Sequence, residues 1–250
     1  MSFTGSPEVG WKMKCDAGKK KVVLELGGNA GVIVSQGNNM EAVVSKCVAG
    51  GFAYSGQVCI HTQRIYVLQN LFDDFTRMFV SKASQLKPGN PSDPATDIAV
   101  MIDEANALRV EEWINQAVSG GAKVLLGGKR ENNYMPPTVI TGSDEDMLVC
   151  SGEVFGPLVV IEPVNTFTEA VSRINAGRFG LQAGVFTDSI NEMNMAFKNL
   201  KVGGVIINDV PTFRVDHMPY GGIKDSGLGR EGVKYAILDM MEPKLLVKNS

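Results

Sequence analysis

The chain has 250 residues, of which 44% are apolar and 20% are charged, so it can bury a core of ordinary size. Its net charge of −3 is spread without blocks of like sign, which argues against a nucleic-acid partner. The sequence has no apolar run of membrane-spanning length and no signal-peptide pattern at its start. We therefore expect a cytoplasmic protein with no membrane partner.

Short apolar segments alternate with amphipathic ones along the chain. This pattern favours an α/β fold with an open, mostly parallel sheet flanked by helices. Apolar runs predict strands at 21–26, 31–35, 64–68, 123–126, 138–140, 158–161, 183–186 and 205–207. Helical periodicity predicts helices at 39–53, 71–86, 103–119, 168–175, 190–200 and 230–240.

The C-terminal part of the chain follows a different pattern. A glycine-rich loop, GGIKDSGLG at 221–229, precedes the last predicted helix, and KLLVK at 244–248 predicts a short final strand. A lone strand cannot satisfy its own backbone groups. We therefore expect it to pair with another sheet, as the arm of a homo-oligomer.

Four cysteines and two histidines limit the chemistry that this chain can carry. The cysteines are Cys15, Cys47, Cys59 and Cys150, and no two of them form a C-x-x-C pair. This spacing argues against a zinc site and against a disulfide scaffold, so we predict free thiols and no metal site.

Cys59 is the cysteine with the most informative surroundings. It lies between the turn at 55–56 and a predicted strand, where backbone N–H groups can face a developing oxyanion. From local chemistry alone, a small buried thiol without a chemical role stays the more common case even for Cys59, and it is the preferred interpretation for the other three cysteines. His61 and His217 are better explained as hydrogen-bonded or surface histidines than as partners of Cys59.

Glu25 interrupts an otherwise apolar strand and is followed closely by Gly27 and Gly28. Burial of a carboxylate raises its pKa, and a raised pKa suits a general base that works near neutrality. The glycine pairs form neither a dinucleotide-binding fingerprint nor a P-loop. Residue chemistry alone thus indicates a cysteine enzyme of unspecified reaction.

Five motifs in one order sharpen this interpretation. They are FTGS at 3–6, LELGG at 24–28, GQVCI at 56–60, EVFGP at 153–157 and MPYGGIKDSGLGREG at 218–232. In order and spacing this set resembles the aldehyde dehydrogenase superfamily. The resemblance implies three parts: the incomplete end of a cofactor-binding domain at 1–27, a catalytic domain at 28–228, and a return helix with an oligomerisation strand at 229–250.

The resemblance also implies roles for the two candidate groups. Cys59 is expected to attack an aldehyde as thiolate and to carry first a thiohemiacetal and then a thioester. Glu25 is expected to activate the water that hydrolyses this thioester to a carboxylic acid. For NAD or NADP, the resemblance assigns Gly5 and Ser6 to the pyrophosphate, Glu153 to the nicotinamide-side ribose and Phe155 to the nicotinamide.

Substrate-facing positions follow from the same resemblance. Val58 and Ile60 are expected to line the aldehyde tunnel, and Phe213, Arg214 and Tyr220 lie on loops that can reach it. The segment PTFRVDHMPYGG at 211–222 is similar to the branch that oxidises small polar aldehydes such as lactaldehyde or glyceraldehyde 3-phosphate. Arg214 can bind a carboxylate or phosphate through two hydrogen bonds, and a surface arginine is the close alternative.

The chain is shorter than members of this superfamily and resembles their C-terminal half. Because most of the cofactor domain has no counterpart in it, we expect this chain to bind NAD or NADP weakly. Two other functions stay open: a cofactor-independent cysteine esterase that uses Cys59 and Glu25, and a non-catalytic fragment that acts as an assembly module.

Overall fold

The computed structural model describes residues 1–249 and confirms the α/β class. The strands are β1 (Ser2–Thr4), β2 (Val23–Glu25), β3 (Ala30–Val34), β4 (Thr62–Leu68), β5 (Lys123–Leu126), β6 (Thr138–Thr141), β7 (Leu158–Val164), β8 (Phe179–Gly180), β9 (Gln182–Phe186), β10 (Gly204–Ile207), β11 (Ile223–Lys224) and β12 (Gly227–Leu228). The helices are α1 (Pro7–Asp16), α2 (Met40–Phe52), α3 (Gln69–Ala83), α4 (Glu104–Ser119), α5 (Leu148–Ser151), α6 (Phe167–Ala176), α7 (Ile190–Asn199) and α8 (Val233–Met240), with a 3₁₀ turn at Ala53–Gly56.

The central sheet has seven strands in the order β10-β9-β3-β4-β7-β6-β5. All neighbouring pairs are parallel except the edge pair β5 and β6, which is antiparallel. A smaller sheet, in the order β1-β2-β12, and the pair β8 and β11 lie outside it. The fold is therefore a mixed, mostly parallel sheet layer.

Helices cover both faces of the central sheet because alternate strand residues point to opposite sides. On one face, Val32 and Ile65 pack in a cluster with residues of α2 and α3. On the other face, Ile33 and Tyr66 pack with residues of α6 and α7. Farther along this second face, Val160 packs with α4 in a third cluster. The sheet is thus buried on both sides, as expected for parallel strands.

Three of the sequence motifs meet at the amino-terminal ends of strands in this sheet. LELGG and GQVCI each end one residue short of β3 and β4, EVFGP ends directly before β7, and these strands are parallel neighbours. The amino-terminal ends of parallel neighbours lie side by side, so the three motifs are brought together although they are far apart in the chain. Open α/β sheets commonly bind ligands at the carboxyl ends of their strands, which is the opposite end.

Most predicted elements agree with the structure to within a few residues, but the two ends of the chain differ from expectation. Helix α1 was not predicted, although Ser6 is its N-cap and Pro7 its first residue, a known start signal. The predicted final strand at 244–248 is not a strand in the described part of the chain. Its apolar side chains Leu245, Leu246 and Val247 are exposed, and pairing with a second chain stays a prediction.

The predicted division at residues 27 and 228 also stays a prediction. Strand β12, which lies at the end of the predicted catalytic segment, pairs antiparallel with β2 from the first segment. The small sheet therefore links the two segments. Among the helices within residues 1–249, none combines the length and the apolar character needed to cross a bilayer.

Candidate active site

A cavity of about 970 Å³ opens at the strand ends where the three motifs meet. Glu25 and Cys59 both line it. So do most of the other positions predicted to act in the site, namely Gly5, Ser6, Val58, Glu153 and Phe155. The structure thus brings together in one cavity the two candidate catalytic groups and all four candidate cofactor-binding residues.

Cys59 follows a strained turn that is firmly held. Tyr54 and Ser55 adopt left-handed backbone conformations with φ of 53° and 54°, and such conformations are costly for residues other than glycine. The Ser55 hydroxyl donates to the carbonyl of Ala99 and accepts from its N–H, at 3.1 and 3.0 Å. A side chain at Gly56 would clash with the carbonyl of Gly156. The turn is therefore fixed on both sides, which orients Cys59.

The thiol of Cys59 is partly buried and faces a phenol. Its Sγ lies 3.2 Å from the Tyr220 hydroxyl oxygen. Burial raises the pKa of the Cys59 thiol, the Tyr220 hydrogen bond opposes this, and the charges of Glu153 and Glu25 raise the pKa further. The site therefore contains groups that act in both directions on the ionisation of this thiol.

Glu25 ends β2 and is almost fully buried, with 4% of its surface exposed. Neither carboxylate oxygen has a hydrogen-bond partner within the described residues. Burial and the charge of Glu231 raise the pKa of Glu25 from its ordinary value of 4.5 to about 8, although Arg214 and Arg230 lower it. A buried, unpaired carboxyl with a pKa near neutrality has the properties of a general base.

Gly27 and Gly28, which follow the Glu25 strand, let other groups approach the backbone closely. A side chain at Gly28 would clash with the carbonyl of Cys59, and one at Gly27 would clash with the Glu153 carboxylate. The Gly28 N–H donates to Glu153 at 2.8 Å. Burial raises the pKa of Glu153 to about 7, against this hydrogen bond and the charge of Arg109. The glycines thus hold Cys59 and Glu153 against the end of the Glu25 strand.

A fully buried set of polar side chains, Asn29, Gln63 and Arg64, lies directly behind the cavity. We call these three residues the anchoring network. Asn29 Nδ2 donates to the carbonyls of Cys150 and Gly152 at 2.6 and 2.8 Å. Arg64 in turn donates to the side-chain and main-chain oxygens of Asn29, at 2.8 and 3.1 Å.

Gln63 holds the loop that carries Glu153. Its Nε2 donates to the carbonyls of Val149 and Gly152, at 2.9 and 2.8 Å, and its Oε1 accepts from the Val154 N–H at 3.0 Å. Arg64 also donates to the Tyr66 hydroxyl at 3.0 Å. The anchoring network therefore fixes this loop to strand β4 and to the segment after LELGG.

Sequence reasoning did not identify the anchoring network. Arg64 carried the same signal as Glu25, a charged residue within an apolar strand, and Gln63 precedes it in that strand. The argument that a buried charge needs a partner applies to both positions. The predicted role of Glu25 came from the same reasoning. The same signal could therefore have identified Arg64 as a buried charge that needs partners.

The candidate cofactor-binding residues differ in their surroundings. Ser6 caps α1, its hydroxyl accepting from the Val9 N–H at 3.4 Å, so the helix N-terminus borders the cavity. Helix N-termini suit anionic groups such as a pyrophosphate. Phe155 is 38% exposed in the cavity wall and has a left-handed φ of 46°. The helix N-terminus and the exposed aromatic ring thus offer the chemistry that a pyrophosphate and a nicotinamide need.

The predicted substrate residues fall into two groups. Ile60 and Tyr220 are buried in a small cluster that Val58 and Cys59 join. Phe213 and Arg214 lie on the exposed loop at 211–218. Arg214 is not free at the surface: its guanidinium bonds Glu231 at 2.9 Å and lies 4.2 Å from the centre of the Tyr220 ring.

The two histidines agree with the interpretation preferred from the sequence. His61 is buried, and its Nε2 contacts the Gly51 carbonyl at 2.9 Å. Burial lowers the pKa of His61 to about 4. His217 is exposed on the loop at 211–218. His61 is therefore a neutral, hydrogen-bonded core residue at physiological pH.

Comparisons with known proteins identify the family of this chain. The sequence pattern of the aldehyde dehydrogenase family matches residues 1–246. The 3-sulfolactaldehyde dehydrogenase of Priestia megaterium is 46% identical over 248 residues, which cover 99% of this chain and 52% of the relative. The chain thus spans about half the length of the curated relatives that it matches.

Two solved structures have the same fold. Aldehyde dehydrogenase 21 from Physcomitrella patens, in complex with the reaction product succinate, matches with a TM-score of 0.97 at 46% identity, covering 99% of this chain and 52% of that one. Glyceraldehyde-3-phosphate dehydrogenase GapN from Methanocaldococcus jannaschii, complexed with NADP, matches with a TM-score of 0.93 at 43% identity, covering 96% and 52%. Sequence and fold agree over nearly the whole chain, and this chain belongs to the aldehyde dehydrogenase family.

Proposed function

We propose that this chain carries the catalytic half of an NAD(P)-dependent aldehyde dehydrogenase that oxidises a small aldehyde to a carboxylic acid. The observation that carries the proposal is the shared cavity: Cys59 and the unpaired carboxyl of Glu25 line it together with the candidate cofactor-binding residues. Family membership supports the same reaction class.

In this proposal, Cys59 is the nucleophile. Its thiolate adds to the aldehyde carbon and forms a C–S bond, which gives a thiohemiacetal. Oxidation of that carbon leaves a thioester on Cys59. The partly buried position of the thiol keeps bulk water away from both covalent states, and the pinned turn before Cys59 fixes the direction of attack.

Glu25 is the base for the second half of the reaction. Its carboxylate takes a proton from a water molecule, whose oxygen attacks the thioester carbon. The C–S bond then breaks, the carboxylic acid leaves, and the Cys59 thiolate is restored. With a pKa of about 8, Glu25 is partly ionised near neutrality, so the hydrolytic step should accelerate as the pH rises towards that value.

The cavity residues suit NAD or NADP. Gly5 and Ser6 at the start of α1 would hold the pyrophosphate, Glu153 the ribose and Phe155 the nicotinamide. When bound, NAD or NADP supplies the acceptor for the hydride that the oxidation removes from the substrate carbon. The NADP complex of GapN supports this cofactor class for the family.

For the substrate, we propose a short aldehyde with a second, anionic group. The names of the compared proteins point to such compounds: 3-sulfolactaldehyde, glyceraldehyde 3-phosphate, and succinate as a product. Val58, Ile60 and Phe213 would contact the carbon chain. Arg214 would bind the distal anion with the guanidinium nitrogens that do not bond Glu231.

The first experiment is an ester burst without cofactor. The 250-residue chain is mixed with p-nitrophenyl acetate, and the initial release of nitrophenolate is measured together with the mass of the acylated protein. We expect about one equivalent of burst, with the acetyl group on Cys59, and none in Cys59→Ala. Cys15→Ala, which removes an exposed thiol, is the matched control and should keep the burst. A burst that persists in Cys59→Ala would refute the proposed nucleophile.

A second measurement separates the dehydrogenase from a cofactor-independent esterase. The chain is incubated with succinic semialdehyde and either NAD or NADP, at cofactor concentrations raised to offset the weak binding expected, and NADH or NADPH formation is followed by absorbance. A dehydrogenase forms the reduced cofactor and loses this activity in Cys59→Ala. An esterase hydrolyses the ester repeatedly and leaves the cofactor oxidised. If the ester burst also fails, a non-catalytic assembly role takes precedence.

The role of Arg214 is tested by binding, independently of turnover. Succinate binding is measured by calorimetry for the unaltered chain, for Arg214→Ala, and for Arg77→Ala at an exposed ion pair that does not line the cavity. We expect Arg214→Ala to weaken binding about tenfold, since it removes one charge-assisted contact, and Arg77→Ala to leave it unchanged. Equal affinity for all three proteins would remove Arg214 from the substrate site.

A further inference from the structure

The hydroxyl of Tyr220 is the closest polar partner that the structure gives to the Cys59 thiol. The two atoms lie 3.2 Å apart, within the range for a hydrogen bond to sulfur. Tyr220 is only 3% exposed, and it packs in one small cluster with Ile60 and Leu181. The two residues are 161 positions apart in the chain, so this contact is a product of the tertiary fold.

Three contacts hold Tyr220 in this position. Its N–H donates to the Glu231 carbonyl at 3.1 Å, and the Glu231 N–H donates back at 2.6 Å, which forms an isolated antiparallel bridge. The Arg214 guanidinium lies over the Tyr220 ring at 4.2 Å and bonds the Glu231 carboxylate at 2.9 Å. Arg214 and Glu231 therefore close a clamp around the tyrosine, from its backbone to its ring.

The charges around Cys59 make this hydroxyl important. The charges of Glu153 before β7 and Glu25 at the end of β2 both act on the thiol, and negative charge disfavours a thiolate. Arg214, Arg230 and Glu231 act on the neighbouring Glu25. Burial raises the pKa of Tyr220 well above its ordinary value, and so does the adjacent Cys59, so the phenol keeps its proton. Tyr220 can therefore donate throughout the working pH range, and once Cys59 is ionised the phenol is the only donor of the pair.

We propose that the Tyr220 hydroxyl donates a hydrogen bond to the Cys59 thiolate and so stabilises the ionised nucleophile, with Arg214 and Glu231 as positioning residues. The thiol proton leaves to solvent water, and Tyr220 retains its own. This inference rests on the proposed function, in which Cys59 is the nucleophile. It assigns Tyr220 a role in activating Cys59 in place of a simple contact with the substrate.

The test is the pH dependence of alkylation, resolved for each cysteine. The chain is treated with iodoacetamide over a range of pH, and modification of Cys59 and of exposed Cys15 is quantified in the same samples by peptide mass spectrometry. In Tyr220→Phe we expect the midpoint for Cys59 to rise by about one pH unit and its alkylation at neutral pH to slow about tenfold. Cys15 is the internal control and should not change.

A midpoint for Cys59 that stays the same in folded Tyr220→Phe would overturn the proposal. Arg214→Gln provides a second variant that leaves the phenol in place. It should raise the Cys59 midpoint by a smaller amount, whereas Arg77→Gln should not change it. An unchanged midpoint in Arg214→Gln would remove Arg214 as a positioning residue.

This outcome is distinguishable from failure of the proposed function. If Tyr220→Phe shifts the Cys59 midpoint but the ester burst does not depend on Cys59, the hydrogen bond stands and the proposed nucleophile fails. If the burst depends on Cys59 and the midpoint does not shift, Cys59 is the nucleophile and Tyr220 does not activate it.

Discussion

The two sides of the Gly27–Gly28 segment differ in how their polar groups are satisfied. Behind the cavity, the anchoring network of Asn29, Gln63 and Arg64 is buried and richly hydrogen-bonded. Facing the cavity, the Glu25 carboxyl is equally buried but has no hydrogen-bond partner within the described residues. On one side, buried polar side chains fix a loop through hydrogen bonds. On the other side, a buried carboxyl is left without a partner.

This difference shows how one small region can be both rigid and reactive. A buried group with all its partners stabilises one arrangement of the backbone, whereas a buried group without partners keeps a perturbed pKa. Only two glycines separate Glu25 and Leu26 from Asn29, so the rigid side directly supports the reactive one. Variants on the two sides should therefore change stability in opposite directions.

The largest effect is expected on the satisfied side, from Arg64→Met. This change leaves the Asn29 side-chain oxygen, and part of the bonding of Glu145 and Tyr66, without a donor. We expect the free energy of unfolding to fall by about 3 kcal/mol, because breaking a buried polar set by removing one member is strongly destabilising. Urea denaturation measures this loss.

Arg77→Met is the matched control for Arg64→Met. Arg77 also forms an ion pair, with Asp74 at 2.8 Å, but its side chain is 70% exposed. Surface pairs contribute little, so we expect a change below about 0.5 kcal/mol. If the two variants lost similar amounts, the anchoring network would have no special part in stability.

Glu25→Gln should show the opposite sign on the unsatisfied side. With a pKa raised from 4.5 to about 8, Glu25 keeps its proton in the folded state and loses it in the unfolded state throughout that interval. Unfolding therefore releases a proton, and stability falls as the pH rises from about 4.5 to 8. Above about 8 the penalty is constant, and at low pH it vanishes. Glutamine cannot ionise, so the Glu25→Gln variant does not carry this stability penalty.

We expect Glu25→Gln to match the unaltered chain in stability near pH 4 and to exceed it by about 2 kcal/mol near pH 9, as measured by urea denaturation at each pH. This is less than the roughly 5 kcal/mol that the full pKa difference implies, because water in the cavity can reach the ionised carboxyl and lower its penalty. Glu112→Gln makes the same chemical change on the exposed side of α4 and provides the control. A difference between Glu25→Gln and the unaltered chain that does not vary with pH would contradict the raised pKa.

The same contrast explains what the sequence could predict. Helix α4 at Glu104–Ser119 was predicted at 103–119, because a long periodic pattern and a following pair of glycines define it locally. The candidate roles of Cys59 and Glu25 came from their local chemistry together with the family motifs. Both kinds of signal are contained in a short stretch of sequence.

Contacts between distant residues could not be predicted in this way. Asn29 bonds a carbonyl 121 positions away, and Cys59 contacts a tyrosine 161 positions away. No local pattern specifies such partners, since they depend on the order of strands in the sheet. The final segment at 244–248 shows the converse: its apolar pattern is strand-like, but a strand forms only where a partner edge is present.

The smallest effect concerns Phe155, where the reactive side stores backbone strain. Its φ of 46° is unfavourable for any residue with a Cβ, and its ring is 38% exposed, so little packing compensates for the strain. Phe155→Gly and Phe155→Ala remove the same ring contacts, but only glycine relieves the backbone. We expect the glycine variant to be more stable by about 1 kcal/mol, the reverse of the usual order in regular structure. Thermal unfolding of the pair measures this difference directly. Equal stability of the two variants would mean that the backbone at Phe155 is not strained. Glu25 would then be the one residue on the cavity side whose native environment costs stability.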